Sequence, residues 1–317
     1  MKRPNSEQSG AHKLHAAIGI IVVVAVLTVQ ALMHFGVITG SQLSAFFRLS
    51  EKPVSDDLSV HFVDVGQGDC ELIVCNGEAC LIDCGEQDMA SKVKGYLSQQ
   101  GIEKLKYLII SHQHTDHMGS AADVLEYVKV DKVIMPDIPD ALIPTNTVYE
   151  DFLDTAERLG AQVYTAKEET LELGGCEIHI LPQSFDEEYE SLNDYSLCVK
   201  AVYKNVSFLF TGDAESAEEQ NILQSGFDVS ADVLKVGHHG SSGSCSDEFL
   251  SAVGAEYAVI EVGVGNDYGH PTKAALSRLE KHCKRIYRTD INGSVVIRTD
   301  GDSLTAQCEK EDVNYGK

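Results

Sequence analysis

Four candidate metal ligands fall within six residues in Ser111-His112-Gln113-His114-Thr115-Asp116-His117, directly after an apolar, strand-like run at 105–110. Imidazole and carboxylate together suit zinc, with manganese or iron as harder alternatives. His112 and His114 are two apart, so in an extended stretch they point the same way. Asp116 and His117 fall on the following turn and can serve a second ion nearby. A polar loop rich in histidine by accident is the bland alternative. Three of the chain's 12 histidines inside six positions argue against it. Other apolar strands that end in ligand-type residues are candidates for the same site.

Two later segments have that form. Phe208-Leu209-Phe210-Thr211-Gly212-Asp213 ends an apolar strand in a carboxylate, which taken alone could simply cap the next helix. Val233-Leu234-Lys235-Val236-Gly237-His238-His239-Gly240-Ser241-Ser242 places adjacent histidines after a buried strand, able to supply one ligand and one hydrogen-bond donor. Exposed loop histidines are the alternative. Gly66-Gln67-Gly68-Asp69 joins strand to strand rather than strand to helix, so it reads as a tight turn near the metal edge and not as a nucleotide loop.

Composition narrows the class. The chain has 317 residues, 43% hydrophobic, with Lys+Arg 25 against Asp+Glu 49 and a formal charge of −24. That excludes disorder, collagen-like repeats and a disulfide-only scaffold. It also opposes a coat for nucleic acid, which needs a basic face. The nine cysteines form no CxxC pair, which favours buried free thiols over a zinc ribbon. A Cys75–Cys80 bridge across a hairpin is the alternative in an oxidising compartment.

At the N-terminus, residues 1–15 are polar and carry Lys2, Arg3 and Lys13 against Glu7. Residues 16–38 contain no Asp, Glu, Lys or Arg, long enough to cross a bilayer as one helix. The basic flank places that end in the cytoplasm and the rest outside. A cleaved signal peptide, cut after Val29-Gln30-Ala31, is the second reading. Residues 39–57 read as a linker and 58–317 as the folded domain.

Within that domain, strands are expected at 59–65, 71–74, 80–83, 105–110 and 132–135, the second and third joined at Asn76-Gly77. Helices are expected at 89–100, 121–128 and 147–159. Two or three antiparallel strands follow through 181. A hairpin then joins 197–203 to 207–211, a helix begins after Gly212-Asp213, and a strand occupies 231–236. Helix 247–253, strand 257–260, a helix over 272–282 with Pro271 in its first turn, and a closing set of strands complete the chain. This order suggests two sheets packed face to face with helices outside.

Taken together, these motifs resemble the metallo-β-lactamase superfamily, and within it the hydrolase domain of ComEC-type DNA-uptake proteins. The resemblance covers about 58–300. It includes the turns Asp64-Val65-Gly66-Gln67-Gly68-Asp69 and Leu81-Ile82-Asp83-Cys84-Gly85, the 112–117 cluster, and Asn193-Asp194-Tyr195-Ser196. Thr211-Gly212-Asp213-Ala214-Glu215, the 235–241 stretch and Tyr268-Gly269-His270-Pro271 complete it.

The resemblance implies an α/β (α+β) fold: a four-layer αββα sandwich, here preceded by a single transmembrane helix, with one or two divalent ions at one edge. His112 and His114 would bind one ion. Asp116 and one of His238 and His239, with a leaning to His238, would bind the other beside His117, and Asp213 would bridge. Many members carry a further histidine before the bridging Asp. Here the only one in that interval is His179, inside strand-like 177–181, so Asn193 or water would complete the first site. Asp64, Asp69 and Asp83 would accept hydrogen bonds from ligand rings.

The implied chemistry is hydrolysis by a water that the cations make reactive near neutral pH. Asp116 would orient or deprotonate it, and His270 would protonate the leaving group. Asn193, Ser196, Lys235 and Ser241 would hold an anionic substrate. A membrane-anchored, extracytoplasmic phosphodiesterase is the leading expectation. A lactam, lactone or thioester hydrolase and a non-catalytic metal-binding module are the others. Nucleic acid is disfavoured as a partner by the acidic charge.

Overall fold

The computed structural model describes residues 57–181 and 191–310. The apolar run at 16–38 lies outside them; among the described residues no helix is long and apolar enough to cross a membrane.

Among the described residues, fifteen strands follow in chain order: β1 (Leu58–Phe62), β2 (Glu71–Cys75), β3 (Glu78–Ile82), β4 (Lys104–Ile109), β5 (Lys129–Met135), β6 (Val163–Thr165), β7 (Glu169–Leu173), β8 (Cys176–Ile180), β9 (Val199–Tyr203), β10 (Val206–Phe210), β11 (Val233–Lys235), β12 (Tyr257–Ile260), β13 (Arg285–Arg288), β14 (Val295–Thr299) and β15 (Leu304–Cys308). One sheet has the order β15-β14-β1-β2-β3-β4-β5-β6, and the other β13-β12-β11-β10-β9-β8-β7. Helices α1 (Ala90–Gln99), α2 (Thr115–Met118), α3 (Ala121–Tyr127), α4 (Thr147–Leu159), α5 (Ser216–Gln224), α6 (Asp247–Val253), α7 (Lys273–His282) and α8 (Thr289–Asn292) connect them.

Period-two alternation decides which face each strand buries. Leu58, Val60 and Phe62 of β1 meet Cys176, Ile178 and Ile180 of β8 in one apolar layer between the sheets. Phe62 stacks on Phe210 there at 6.2 Å, worth roughly 1 kcal/mol beyond area burial. A second layer joins Leu72, Leu81 and Leu108 to Val93, Val124 and Phe152 of α1, α3 and α4. A third joins Leu209, Leu234 and Ile260 to Ile222, Phe249 and Leu279 of α5, α6 and α7. These three layers make the helix–sheet–sheet–helix sandwich.

The structure corrects three local expectations. Residues 163–165 do not begin an antiparallel set: β6 pairs parallel with β5. Helix α4 is the crossover, ended by Gly160 in the left-handed region, and returns the chain parallel. The antiparallel set starts at β7, in the other sheet. Pro271 precedes α7 rather than opening it. Its peptide bond with His270 is cis, and the Thr272 side chain caps the helix by accepting from Ala275 N. The single turn α8 interrupts the closing strands.

All nine cysteines are buried and free. Cys75 lies opposite Glu78 and Cys80 opposite Ile73, so the hairpin bridge has no register to form in.

On the opposite face of β1, His61 is fully enclosed, with Nδ1 2.9 Å from the Tyr96 hydroxyl and Nε2 2.9 Å from Ser59 Oγ. Burial, helped by Arg298, pulls its pKa down to about 3. The unfolded ring titrates near 6.5, so the unfolded chain binds more protons below that pH. The ring's contribution is complete above about pH 6.5 and is lost as pH falls towards 3. In urea titrations, His61→Gln should shrink the stability difference between pH 7 and pH 5 by about 2 kcal/mol. An unchanged difference would contradict this reading.

Candidate metal centre

The ligand loop is built by strand ends. β4 delivers the chain to Ser111, and Asp83, one residue past β3, receives it. Asp83 Oδ1 accepts from Ser111 N at 2.7 Å, and Oδ2 from Ser111 Oγ at 2.6 Å. Asp83 Oδ2 also lies 2.8 Å from His117 Nδ1. A proton on Nδ1 there leaves Nε2 as a lone-pair donor. The Gly66–Gly68 turn packs on the same loop. Asp69 N donates to Asp116 O at 3.1 Å, and at Gly68, φ +134°, a Cβ would collide with that same carbonyl. Gly212, φ +51°, lets β10 end against Ser111, whose Cβ would lie 2.9 Å from an added Cβ.

Four side chains converge: Asp116, His117, Asp213 and His239, with ligand atoms all within 4.8 Å of one another. Asp213 Oδ2 lies 3.3 Å from His117 Nε2 and 3.5 Å from His239 Nε2. Asp116 Oδ2 lies 3.3 Å from His239 Nε2 and 3.9 Å from His117 Nε2. His239 Nδ1 is 2.9 Å from the Glu261 carbonyl, which again frees Nε2 to face inward. His117 Nε2, His239 Nε2 and Asp213 Oδ1 are buried with no hydrogen-bond partner among the described residues. Buried polar atoms are rarely left so, and their convergence fits a divalent cation.

The electrostatics agree. Burial pushes the Asp213 carboxyl up, but the imidazoles of His239 and His117 more than offset this and hold it well below its usual range. Burial also lowers the His239 ring, and Asp213 and Asp69 reverse that, raising it to about 10. His117 is raised well above its usual value: burial opposes, and Asp213, Asp116, Asp69 and Asp83 prevail. The carboxylates create a field that demands positive charge at this spot.

His112 and His114 form the adjoining half. His112 Nε2 lies 3.0 Å from His114 Nδ1, and the His112 and His117 ring centroids are 4.1 Å apart. Burial, then the His117 charge, keeps His112 neutral by lowering its pKa well below the usual value. Ser196 is fully buried; its Oγ lies 3.3 Å from His112 Nδ1 and accepts from Asp213 N at 3.0 Å. Asn193 borders the cavity, its Oδ1 buried without a partner.

The adjacent histidines separate. Both adopt left-handed backbone conformations, φ 47° and 51°, so their side chains diverge. His239 enters the four-residue group, and the leaning to His238 is reversed. His238 Nε2 is 3.7 Å from Asp213 Oδ2, and its Nδ1 faces Glu215 at 3.2 Å.

Other expected residues lie elsewhere. Lys235 cannot touch a substrate. It is fully buried, ion-paired with Asp69 and donating to Gly212 O at 3.3 Å. Asp69 stands behind both imidazoles, 3.2 Å from His239 Nδ1 and 3.6 Å from His117 Nδ1. Asp64 does not, since Lys92 and Lys310 at 3.5 and 3.4 Å hold it at the surface. Ser241 Oγ accepts from Gly243 N in a turn and does not border the cavity. His179 projects from the outward side of β8 to Thr170 Oγ1 at 2.9 Å, away from the cluster.

Sequence reasoning missed Glu261, the carboxylate that closes apolar β12. Its position repeats the signal used for Asp213. With Asp69 and Glu71 it forms a buried acidic group around Lys235. Burial and Asp69 push its carboxyl up to about 8.

A cavity of about 380 Å³ opens over the cluster, bordered by His114, Asp116, Asp213, His238, His239 and His270 among others. Burial and the neighbouring His238 lower the His270 pKa.

Comparison with known proteins places this geometry. Residues 63–263 match the Metallo-beta-lactamase superfamily. The chain is 30% identical over 300 residues to ComE operon protein 3 of Bacillus subtilis (strain 168), covering 88% of this chain and 38% of that protein. It is 30% identical over 279 residues to Recombination protein 2 of Haemophilus influenzae, covering 86% and 32%, and 28% identical over 257 residues to Competence protein ComA of Neisseria gonorrhoeae, covering 80% and 34%. The chain thus spans about a third of the length of these relatives. Among solved structures, a CmlA beta-hydroxylase mutant shares the fold with a TM-score of 0.50 at 15% identity, over 86% of this chain and 59% of that one. On the sequence match and the two-sheet architecture together, this chain belongs to the metallo-β-lactamase superfamily.

Proposed function

We propose that this metallo-hydrolase cleaves a phosphodiester. The observation that carries the reading is the cavity wall. Beside the carboxylates of Glu86, Asp116 and Asp213 it presents the imidazoles of His238 and His270. These are donors suited to the oxygens of a phosphoryl group that bears a single charge.

Divalent cations, zinc on this ligand set or manganese as the alternative, would supply a water of lowered pKa and take up charge on the phosphoryl oxygens. The chain's own residues do the rest. Asp213 faces the imidazoles of His117, His239 and His238 and can bridge two sites. Asp116, whose carboxyl the positive charges of His117 and His239 hold well below the usual carboxylate range despite its burial, is an ionised acceptor facing the cavity, able to orient water and take its proton. Asp83 and the Glu261 carbonyl fix the tautomers of His117 and His239. His270, kept neutral, donates a hydrogen bond to the leaving oxygen.

The reading also includes a membrane anchor at 16–38 with the catalytic domain outside the cytoplasm, supported by that segment's lack of charge and its basic flank. Long nucleic acid is a poor partner for a chain of charge −24.

The full-length chain should release p-nitrophenolate from bis(p-nitrophenyl) phosphate, stop on adding EDTA, and resume with Zn²⁺ or Mn²⁺. Turnover of nitrocefin or a lactone with none of the phosphodiester would move the reading to acyl chemistry. Metal-loaded protein inert to all three would leave a binding module.

A further inference from the structure

One ring on the cavity wall is not explained by metal binding. Tyr268 is 69% exposed, although tyrosine ordinarily buries most of its face. It stacks on His270 with centroids 5.8 Å apart and planes 25° from parallel. His270 meets His238 edge-on at 5.5 Å, and His238 faces Asp213. A row of three rings therefore leads from the metal cluster to solvent.

The loop that carries it is braced. Asn266 Nδ2 donates to Gly263 O at 3.0 Å and to His270 O at 2.7 Å, and His270 N donates to Asn266 Oδ1 at 3.0 Å. The exposed face is thus held in place.

The second observation is charge. Among the described residues, no lysine or arginine borders the cavity. A site built for several phosphates would present them. Affinity beyond the reacting phosphoryl group must then come from uncharged contacts, and the exposed Tyr268 ring on this wall offers one by stacking.

We infer that Tyr268 is a stacking platform for a nucleobase on the sugar that flanks the reacting phosphorus, so that the substrate is an unpaired nucleotide phosphodiester. A paired base keeps its faces inside a duplex, whereas an unpaired one can lay a face on the ring. Such stacking tolerates any base, because every base has a π-face. The inference rests on the phosphodiesterase reading above.

The test compares two esters with the same leaving group, thymidine 5′-(p-nitrophenyl phosphate) and methyl p-nitrophenyl phosphate, on full-length metal-loaded protein. Tyr268→Ala should raise KM for the thymidine ester roughly 10-fold, the scale of one lost base stack. Its kcat should hold, and the methyl ester should be unaffected. Tyr268→Phe should behave as native. Equal loss on both esters, or no change on either, overturns the stacking role while leaving phosphodiester cleavage intact. No release from either ester by the native protein overturns the phosphodiesterase reading itself.

Discussion

Asp213→Asn should lower phosphodiester turnover by more than about 100-fold, the loss typical of removing a residue that merely supports a ligand. Asp213 does more than support. Its Oδ2 lies 3.3, 3.5 and 3.7 Å from the Nε2 atoms of His117, His239 and His238. Asparagine keeps the volume and the backbone hydrogen bond to Ser196 Oγ, and it removes the charge. Chelator-treated native and variant proteins should show the same circular dichroism, which separates loss of the centre from loss of the fold. Turnover within a few-fold of native would show that the reaction does not depend on this carboxylate.

Lys235→Met should destabilise the fold by about 3–5 kcal/mol, because it leaves a buried carboxylate without its partner. Lys235 is completely buried, its Nζ ion-paired with Asp69 and surrounded by Glu71 and Glu261. Methionine has a similar length and no charge. The double variant with Asp69→Asn should recover a large part of the loss, since both members of the pair are then neutral. Urea unfolding of the native, single and double variants measures this. A Lys235→Met protein of native stability with a raised KM would return this lysine to the substrate-binding role its sequence position suggests.

The parts of this molecule legible in the sequence are those with local causes. Helix α4 matches its expected bounds because both ends are written nearby: Asn146 Oδ1 accepts from Tyr149 N, and Gly160 closes in the left-handed region. Helix α6 is framed in the same way by Ser246 and Gly254. The strand-end placement of the 112–117 cluster and of Asp213 was also legible, since an apolar run ending in ligands has few other readings.

What could not be read depends on distant partners or on backbone angles. Nothing in His238-His239 announces two consecutive left-handed residues, and those angles decide which ring turns inward. Lys235 looks like a loop-flanking cation until the turn carrying Asp69 folds against it. Asp64 and Asp69 belong to one motif, yet one faces surface lysines and the other faces the ligand rings. Strand β6 fails for a similar reason: its three exposed residues carry no alternation, so only the crossover through α4 assigns it to a sheet.

The account depends on distant strand ends meeting to hold divalent cations, and counting those ions tests it most directly. Full-length protein dialysed against Zn²⁺, then against metal-free buffer, should retain one or two ions per chain by inductively coupled plasma mass spectrometry. Asp213→Asn, treated in the same way, should retain fewer. A native chain that retains none, or a variant that holds as many as the native, would contradict it.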